Sequence, residues 1–394
     1  MLGCSPETGP DRASATTVVD SAGVRIVTSH SPQWTDETAW RVSATPEVSI
    51  GVLDGAPAEQ LFRVSDAAIL ADGRVLVGNS GTSELRIFDQ TGRHVASMGG
   101  DGEGPGEFRM MAELDVTAGD SIFVWDQRVR RVSVFSASGG FERSFQLSPP
   151  AEAAFPAFRS RFEDGSLLVQ VPTLVGDEDL VDEAVRRNAG VYMRYAADGS
   201  PLDTIGTFMG SRSMLKFHED GGSLSVLRVP FDAVSRVTTA AAGVLEGDGA
   251  TFEIRGRDPS GALDWIIRRE PERTPVTSEL MTAHLEENYA QFSDQVDYYS
   301  GLRDAYAAMP VEGQVAAFDR IVVAADGTIW VRSHPLPGAT AHVWSVFAEE
   351  GAWLGDVEMP AALDVFEIGR EFVVGKQLDD LEVEHVVLYR ILRP

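Results

Sequence analysis

The feature that most constrains this chain is a repeated strand-turn-strand pattern, interrupted by the run Gly99-Gly100-Asp101-Gly102-Glu103-Gly104-Pro105-Gly106-Glu107-Phe108. Before the run, Gly73-Arg74-Val75-Leu76-Val77 leads to Leu85-Arg86-Ile87-Phe88-Asp89, the turn Gln90-Thr91-Gly92 and Val95-Ala96-Ser97-Met98-Gly99. After it, Gly119-Asp120-Ser121-Ile122-Phe123-Val124 leads to Val132-Ser133-Val134-Phe135, Gly139-Gly140 and Phe141-Glu142-Arg143-Ser144-Phe145. Gly73, Gly119 and Gly165 follow one another at 46 residues. A period of this length in β-type sequence is one blade of four short strands, so the 394 residues read as one ring of blades rather than two or three ordinary domains.

Blade one spans about Phe62 to Gly99, blade two Phe108 to Leu147, and blade three Phe155 to Phe208, with an acidic excursion from Val175 to Arg187. The least regular is blade four, with strands in Phe231 to Thr239, Gly243 to Glu246, Thr251 to Arg255 and Leu263 to Ile267. Blade five begins at Phe318 and ends near Gly355. The chain then offers only three further strands, in Leu363 to Ile368, Glu371 to Gly375 and His385 to Leu392. Because Pro46-Glu47-Val48-Ser49-Ile50-Gly51 reads like the outer strand of blade one, it is expected to complete the sixth blade and close the ring. Between blades four and five, about 274–309, Met281, Leu285, Tyr289, Phe292, Val296, Tyr299, Leu302 and Tyr306 recur at helical spacing, with Thr274-Pro275 as a cap and first-turn pair. This helical insertion is expected either to cap a channel mouth or to cover a blade face. The expected fold is all-β, a six-bladed propeller over 21–394 behind a tether-like segment, 1–20.

Sixty acidic against 33 basic residues give a net charge of −27, a field that repels phosphate backbones and anionic lipid surfaces, so no nucleic-acid partner is expected. No run of about 18 apolar residues is present to span a membrane. The single cysteine, Cys4, excludes an intrachain disulfide and a cysteine-rich metal site. Met1-Leu2-Gly3-Cys4-Ser5 resembles the end of a bacterial lipoprotein signal without the charged and apolar regions that precede such a cysteine. Cys4 is thus a lipidation candidate, and through it lies the only expected route to a membrane.

The blade pattern, above all Gly99 to Phe108 following Phe88-Asp89 and Gly92, resembles NHL-type repeats. With the early Val24-Arg25-Ile26-Val27 strand and the final His385 to Arg390, the chain is similar to bacterial six-bladed β-propeller proteins often exported as lipoproteins. The resemblance implies a location in the cell envelope or periplasm. It leaves activity open, since such propellers include binding scaffolds, lyases and lactonases.

The glycines of Gly100 to Gly104 read as a strand crossing and not as a phosphate loop, because Pro105 interrupts them and no helix follows. Seven histidines (His30, His94, His218, His284, His334, His342 and His385) stand singly, without metal-ligand spacing. No cofactor is expected, with calcium or zinc held by several blades as the alternative. Trp125, Trp330 and Trp344 are expected to pack between blades. Arg63 and Arg109 stand ten residues before Gly73 and Gly119, at the start of two inner strands, with Arg159 and Arg320 near the corresponding places of blades three and five. These four cations form the candidate ligand-binding set at a channel mouth, suited to a carboxylate or sugar acid. The expected function is non-catalytic binding of a small molecule, glycan, peptide or envelope protein. The alternative is a metal-dependent propeller hydrolase or lyase.

Overall fold

The structure, a computed structural model, describes residues 15–150, 155–172, 185–217, 224–241, 243–289, 303–309 and 312–394. Among these, 28 strands form six sheets. From the channel outwards, blade one is Val64–Ile69, Val75–Asn79, Glu84–Phe88 and His94–Gly99, and blade two is Met111–Val116, Ile122–Asp126, Arg131–Phe135 and Phe141–Gln146. Blade three is Ala157–Arg161, Leu167–Pro172, Val185–Tyr195, Pro201–Phe217 and Leu224–Arg228. Blade four is Arg236–Ala240, Gly243–Gly247, Glu253–Arg257 and Leu263–Arg269. Blade five is Phe318–Val323, Ile329–Ser333, Ala341–Phe347 and Trp353–Pro360, and blade six is Asp364–Ile368, Phe372–Leu378 and Glu384–Leu392, completed from the N-terminal side. Each inner strand touches the next around the ring, and the sixth touches the first.

The middle strands are apolar throughout because each blade buries both faces. In Val75–Asn79, Val75 and Val77 pack towards blade six with Val374 and Val386, while Leu76 packs towards blade two with Ile122 and Val124. Side chains alternate across a strand, so one strand feeds two cores. Six such cores lie between successive blades. The tryptophans sit where the sequence puts them: Trp125 lies between blades two and three, and Trp330 and Trp344 between five and six.

Closure is made by Val48–Ile50, which pairs antiparallel with Val386, Val387 and Leu388, while Arg41–Val42 pairs further along the same strand. Ile50 is 1% exposed and packs with Val64, Phe88 and Val386 across the seam between first and last blades. Gly51 follows at φ +118°, where a Cβ would stand 2.4 Å from the Glu384 carbonyl oxygen. Unplaced by the sequence reading, Val24–Ser29 runs parallel to Leu263–Arg269 and adds to the rim of blade four, with Thr16–Ser21 outside it.

The turn between first and second strands shows that the 46-residue spacing is one residue out of register in blade two. Gly73, Asp120, Gly165 and Gly327 occupy the same left-handed position, at φ 84°, 59°, 83° and 84°. Each donates its N–H three residues back, to the carbonyls of Leu70, Thr117, Phe162 and Ala324. Asp120, not Gly119, is the equivalent residue. Aspartate tolerates that conformation, and here its carboxylate accepts the Ala71 N–H of blade one at 2.9 Å.

Blade three extends past the ring. Beyond the Pro172–Gly190 pair, Val185 to Ala189 continues pairing with Met214 to Met209, and Leu224–Arg228 returns along Ser213 to Phe217. The helix Ser278–Tyr289 and the helical residues 303–307 pack here, with Leu285, Tyr306 and Met309 against Met214 and Leu227. Met281 joins Phe231 and Val315. The predicted helix face from Phe292 to Leu302, like Cys4 and most of the acidic excursion, lies outside the described residues.

Replacing Ile50 by alanine removes buried contact from the seam alone. It is expected to cost about 2–4 kcal/mol, measured by urea denaturation; a loss within error of zero would show that the N-terminal strand does not hold the ring closed.

Candidate functional site

The inner strands begin at what is here called the upper mouth of the channel and end at the lower mouth. Their pairing with the second strands skips one residue at Ser65, Ala112, Arg159, Asp319 and Phe366. Such bulges re-aim a side chain and are frequent beside functional sites. This register places Asp319, not Arg320, at the position of Arg159. Blade four has no skip among its described pairs, and Arg236 opens its inner strand.

The same register separates Arg63 from Arg109. The buried side chain of Asn79 accepts the Phe62 N–H at 2.7 Å, and that of Asp126 accepts the Arg109 N–H at 2.6 Å. Arg109 therefore corresponds to Phe62, and Arg63 to Met110. Both arginines are exposed; Arg63 lies against the Phe62 ring and Arg109 pairs with Asp101 and Glu103. Neither lines a described cavity with Arg159 or Arg320. The register thus does not give the four arginines one common position.

Two of them do stand on the channel wall. Arg159 binds Glu113 of blade two at 2.5 Å and donates twice to Gln170 Oε1, at 3.0 and 2.7 Å. Arg320 donates to Asp364 of blade six at 3.0 Å. Between them stands Arg236, which the sequence reading missed because blade four shows the least regular repeat. Its Nε is buried without a hydrogen-bond partner, and it makes no ion pair among the described residues. Asp319, the carboxylate that acts on it, is already held by Nε and a terminal nitrogen of the Arg332 guanidinium, at 2.8 and 2.6 Å. Burial pulls Arg236 below the usual arginine range; Asp319 opposes this, while Arg228 and Arg332 add to it.

A cavity of about 400 Å³ opens beside Arg236, between blades three and four. Arg159, Gln170, Arg228 and Arg236 form its polar side, and Tyr192 and Phe208, in edge contact at 5.6 Å, its apolar side. A second hollow of about 280 Å³, lined by Arg236, Asp319, Arg320 and Arg332, continues towards blade five. Arg228 stands exposed at the rim, positioned by the strand whose Leu227 packs beneath the helix. Chemically such an arrangement suits an anion: a desolvated guanidinium lacking a carboxylate partner gains strongly from one.

The glycine run proves to be a braced crossing. Arg131 donates to the carbonyls of Glu103, Gly104 and Glu107, and Glu107 accepts the Gly104 N–H. Of the histidines, His284 and His334 face the Phe231 ring at 5.2 and 5.7 Å, and burial holds both below the usual histidine value. Among the described residues, no group of three His, Cys, Asp or Glu is placed to hold a metal ion.

At the lower mouth, carboxylates bolt neighbouring blades together. Asp66 accepts the Leu114 N–H at 2.9 Å, and Glu367 accepts the Ile69 N–H at 3.0 Å. Burial pushes each up to about 7. The folded protein therefore holds protons on these groups that the unfolded chain has lost, so their contribution falls as pH rises from the unfolded values, 3.8 and 4.5, to about 7. Glu367→Gln keeps an acceptor for Ile69. It is expected to leave stability at about pH 4 nearly unchanged and to raise it at about pH 8, read by urea denaturation; parallel pH profiles for variant and wild type would contradict this.

Comparison with known proteins agrees with the fold and leaves the site unassigned. The DUF5128 family model, described as a 6-bladed beta-propeller, matches residues 60–155. A Bacteroides fragilis protein described as exported is 13% identical over 94% of this chain and 99% of its own, with a TM-score of 0.50. A member of the DUF4221 family from Bacteroides vulgatus is 10% identical over 91% of this chain and 100% of its own, with a TM-score of 0.53. At these identities the likeness concerns the fold alone. No curated protein matches the chain.

Proposed function

We propose that this six-bladed propeller is a non-catalytic binding protein of the bacterial cell envelope that holds a small anionic molecule at its upper mouth, between blades three and four. The observation that carries the reading is Arg236, buried at Nε without a partner in a chain of net charge −27. Where acidic residues outnumber basic ones nearly two to one, a cation on a cavity wall that no described carboxylate pairs with is suited to an external anion. Gln170 and Arg159 support the polar end, and Tyr192 and Phe208 give an organic ligand an apolar surface. The envelope location rests on the Cys4 pattern and is in keeping with the exported Bacteroides fragilis protein of similar fold; the mass of Cys4 in protein extracted from cells reads it, an unmodified cysteine arguing against the lipid anchor.

A residue kept for binding at a cost to folding has a recognisable signature. Arg236→Met is expected to leave the melting temperature unchanged or raised, while weakening benzoate binding by about tenfold or more in calorimetric titration at low salt. Unchanged benzoate affinity in the variant would overturn the assignment.

A further inference from the structure

The charges around the upper mouth do not balance, and the imbalance specifies the ligand more closely. On and beside the inner strands of blades three to five, Arg159, Arg236, Arg320 and Arg332 are joined by Arg228 at the rim. Their carboxylate partners are Glu113 on Arg159, Asp319 on Arg332 and Asp364 on Arg320. Among the described residues, Arg228 and Arg236 are left over. Both line the same cavity, and Arg228 raises the cost of charge on Arg236. One monovalent anion neutralises only half of this excess.

Arg228 is not a loose surface side chain that turns away at no cost. It ends the strand Leu224–Arg228, which pairs through Ser213 with the blade-three extension, and its neighbour Leu227 is buried with Leu285, Tyr306 and Met309. The helical insertion thereby fixes the backbone that brings the second cation to the cavity. Opposite lie Tyr192 and Phe208, whose rings are buried with their edges in contact. A volume of about 400 Å³ is within the range of small-molecule sites.

We infer that the ligand of this site is a compact dianion with a flat or apolar body, a dicarboxylate or a phosphate monoester, whose two charges are met by Arg236 within the cavity and Arg228 at its rim. The inference rests on the binding reading above and deepens it. Charge-assisted hydrogen bonds to a second guanidinium strengthen binding where solvent is partly excluded.

Calorimetric titration of the wild-type protein with isophthalate, phenyl phosphate and benzoate at low salt tests it. At least one of the two dianions is expected to bind about tenfold or more tightly than benzoate, and which of them does distinguishes dicarboxylate from phosphate ester. Arg228→Gln is expected to reduce that advantage to about threefold or less, with benzoate affinity changing less. Benzoate binding as tightly as both dianions would overturn the inference and leave the anion site standing. Binding of none of the three would overturn both, and a dianion advantage that survives Arg228→Gln would remove Arg228 from the site.

Discussion

Each blade of this protein buries both faces of its sheet, and everything else follows from the need to close the ring that this creates. An open ring would leave the Val374, Val386 and Leu388 face of blade six and the Val64, Val75 and Phe88 face of blade one in water. The hydrophobic effect therefore pulls the two ends of the chain together. Val48–Ile50 meets Glu384–Leu392 at that seam, and pairing a last sheet with a strand from the opposite end of the chain makes the closure resist separation. The closed ring in turn sets six inner strands around one channel, at the spacing that lets a side chain from one blade reach its neighbour.

The channel wall shows what that spacing is used for. At the lower mouth, Asp66 and Glu367 accept main-chain N–H groups from adjacent blades, so polar groups that the close packing shuts off from water are paired across blade boundaries. Towards the upper mouth the pairing passes to side chains, Glu113 with Arg159 and Asp364 with Arg320. Blade four breaks the sequence. Its Arg236 has no carboxylate partner across either boundary among the described residues, because Asp319 is taken by Arg332 within blade five and blade three presents another cation, Arg159, itself held by Glu113 of blade two. What sets Arg236 apart is that the neighbouring cations Arg159, Arg320 and Arg332 each hold a carboxylate, whereas Arg236, beside a cavity, pairs with none among the described residues.

Much of the fold was legible because period-2 alternation and Asp-Gly turns recur in register with blade geometry. The closing strand could be read from the likeness of Val48-Ser49-Ile50 to the outer strand of blade one, and the tryptophans from their place in buried strands. Val24–Ser29 could not be placed, since a parallel strand added at a rim leaves no turn signal linking it to Leu263–Arg269. The site was only partly legible. Glycine spacing aligned Arg63 with Arg109, whereas the positions are set by the left-handed turn residue and by Asn79 and Asp126, and Asp120 in place of glycine hides the true register. Arg159 and Arg320 were found on the channel wall, but Arg236 lies in the blade whose repeat is weakest, and an absent partner leaves no trace in a sequence.

The proposed anion site at the upper mouth depends on Arg236 having no carboxylate partner. A crystal structure of the protein grown in sodium bromide, with anomalous differences collected at the bromine edge, would locate such an anion. A bromide is expected within hydrogen-bonding distance of the Arg236 guanidinium, on the cavity side facing Arg228. Bromide bound elsewhere on the molecule with none at Arg236, or an Arg236 side chain found paired with a carboxylate, would contradict it.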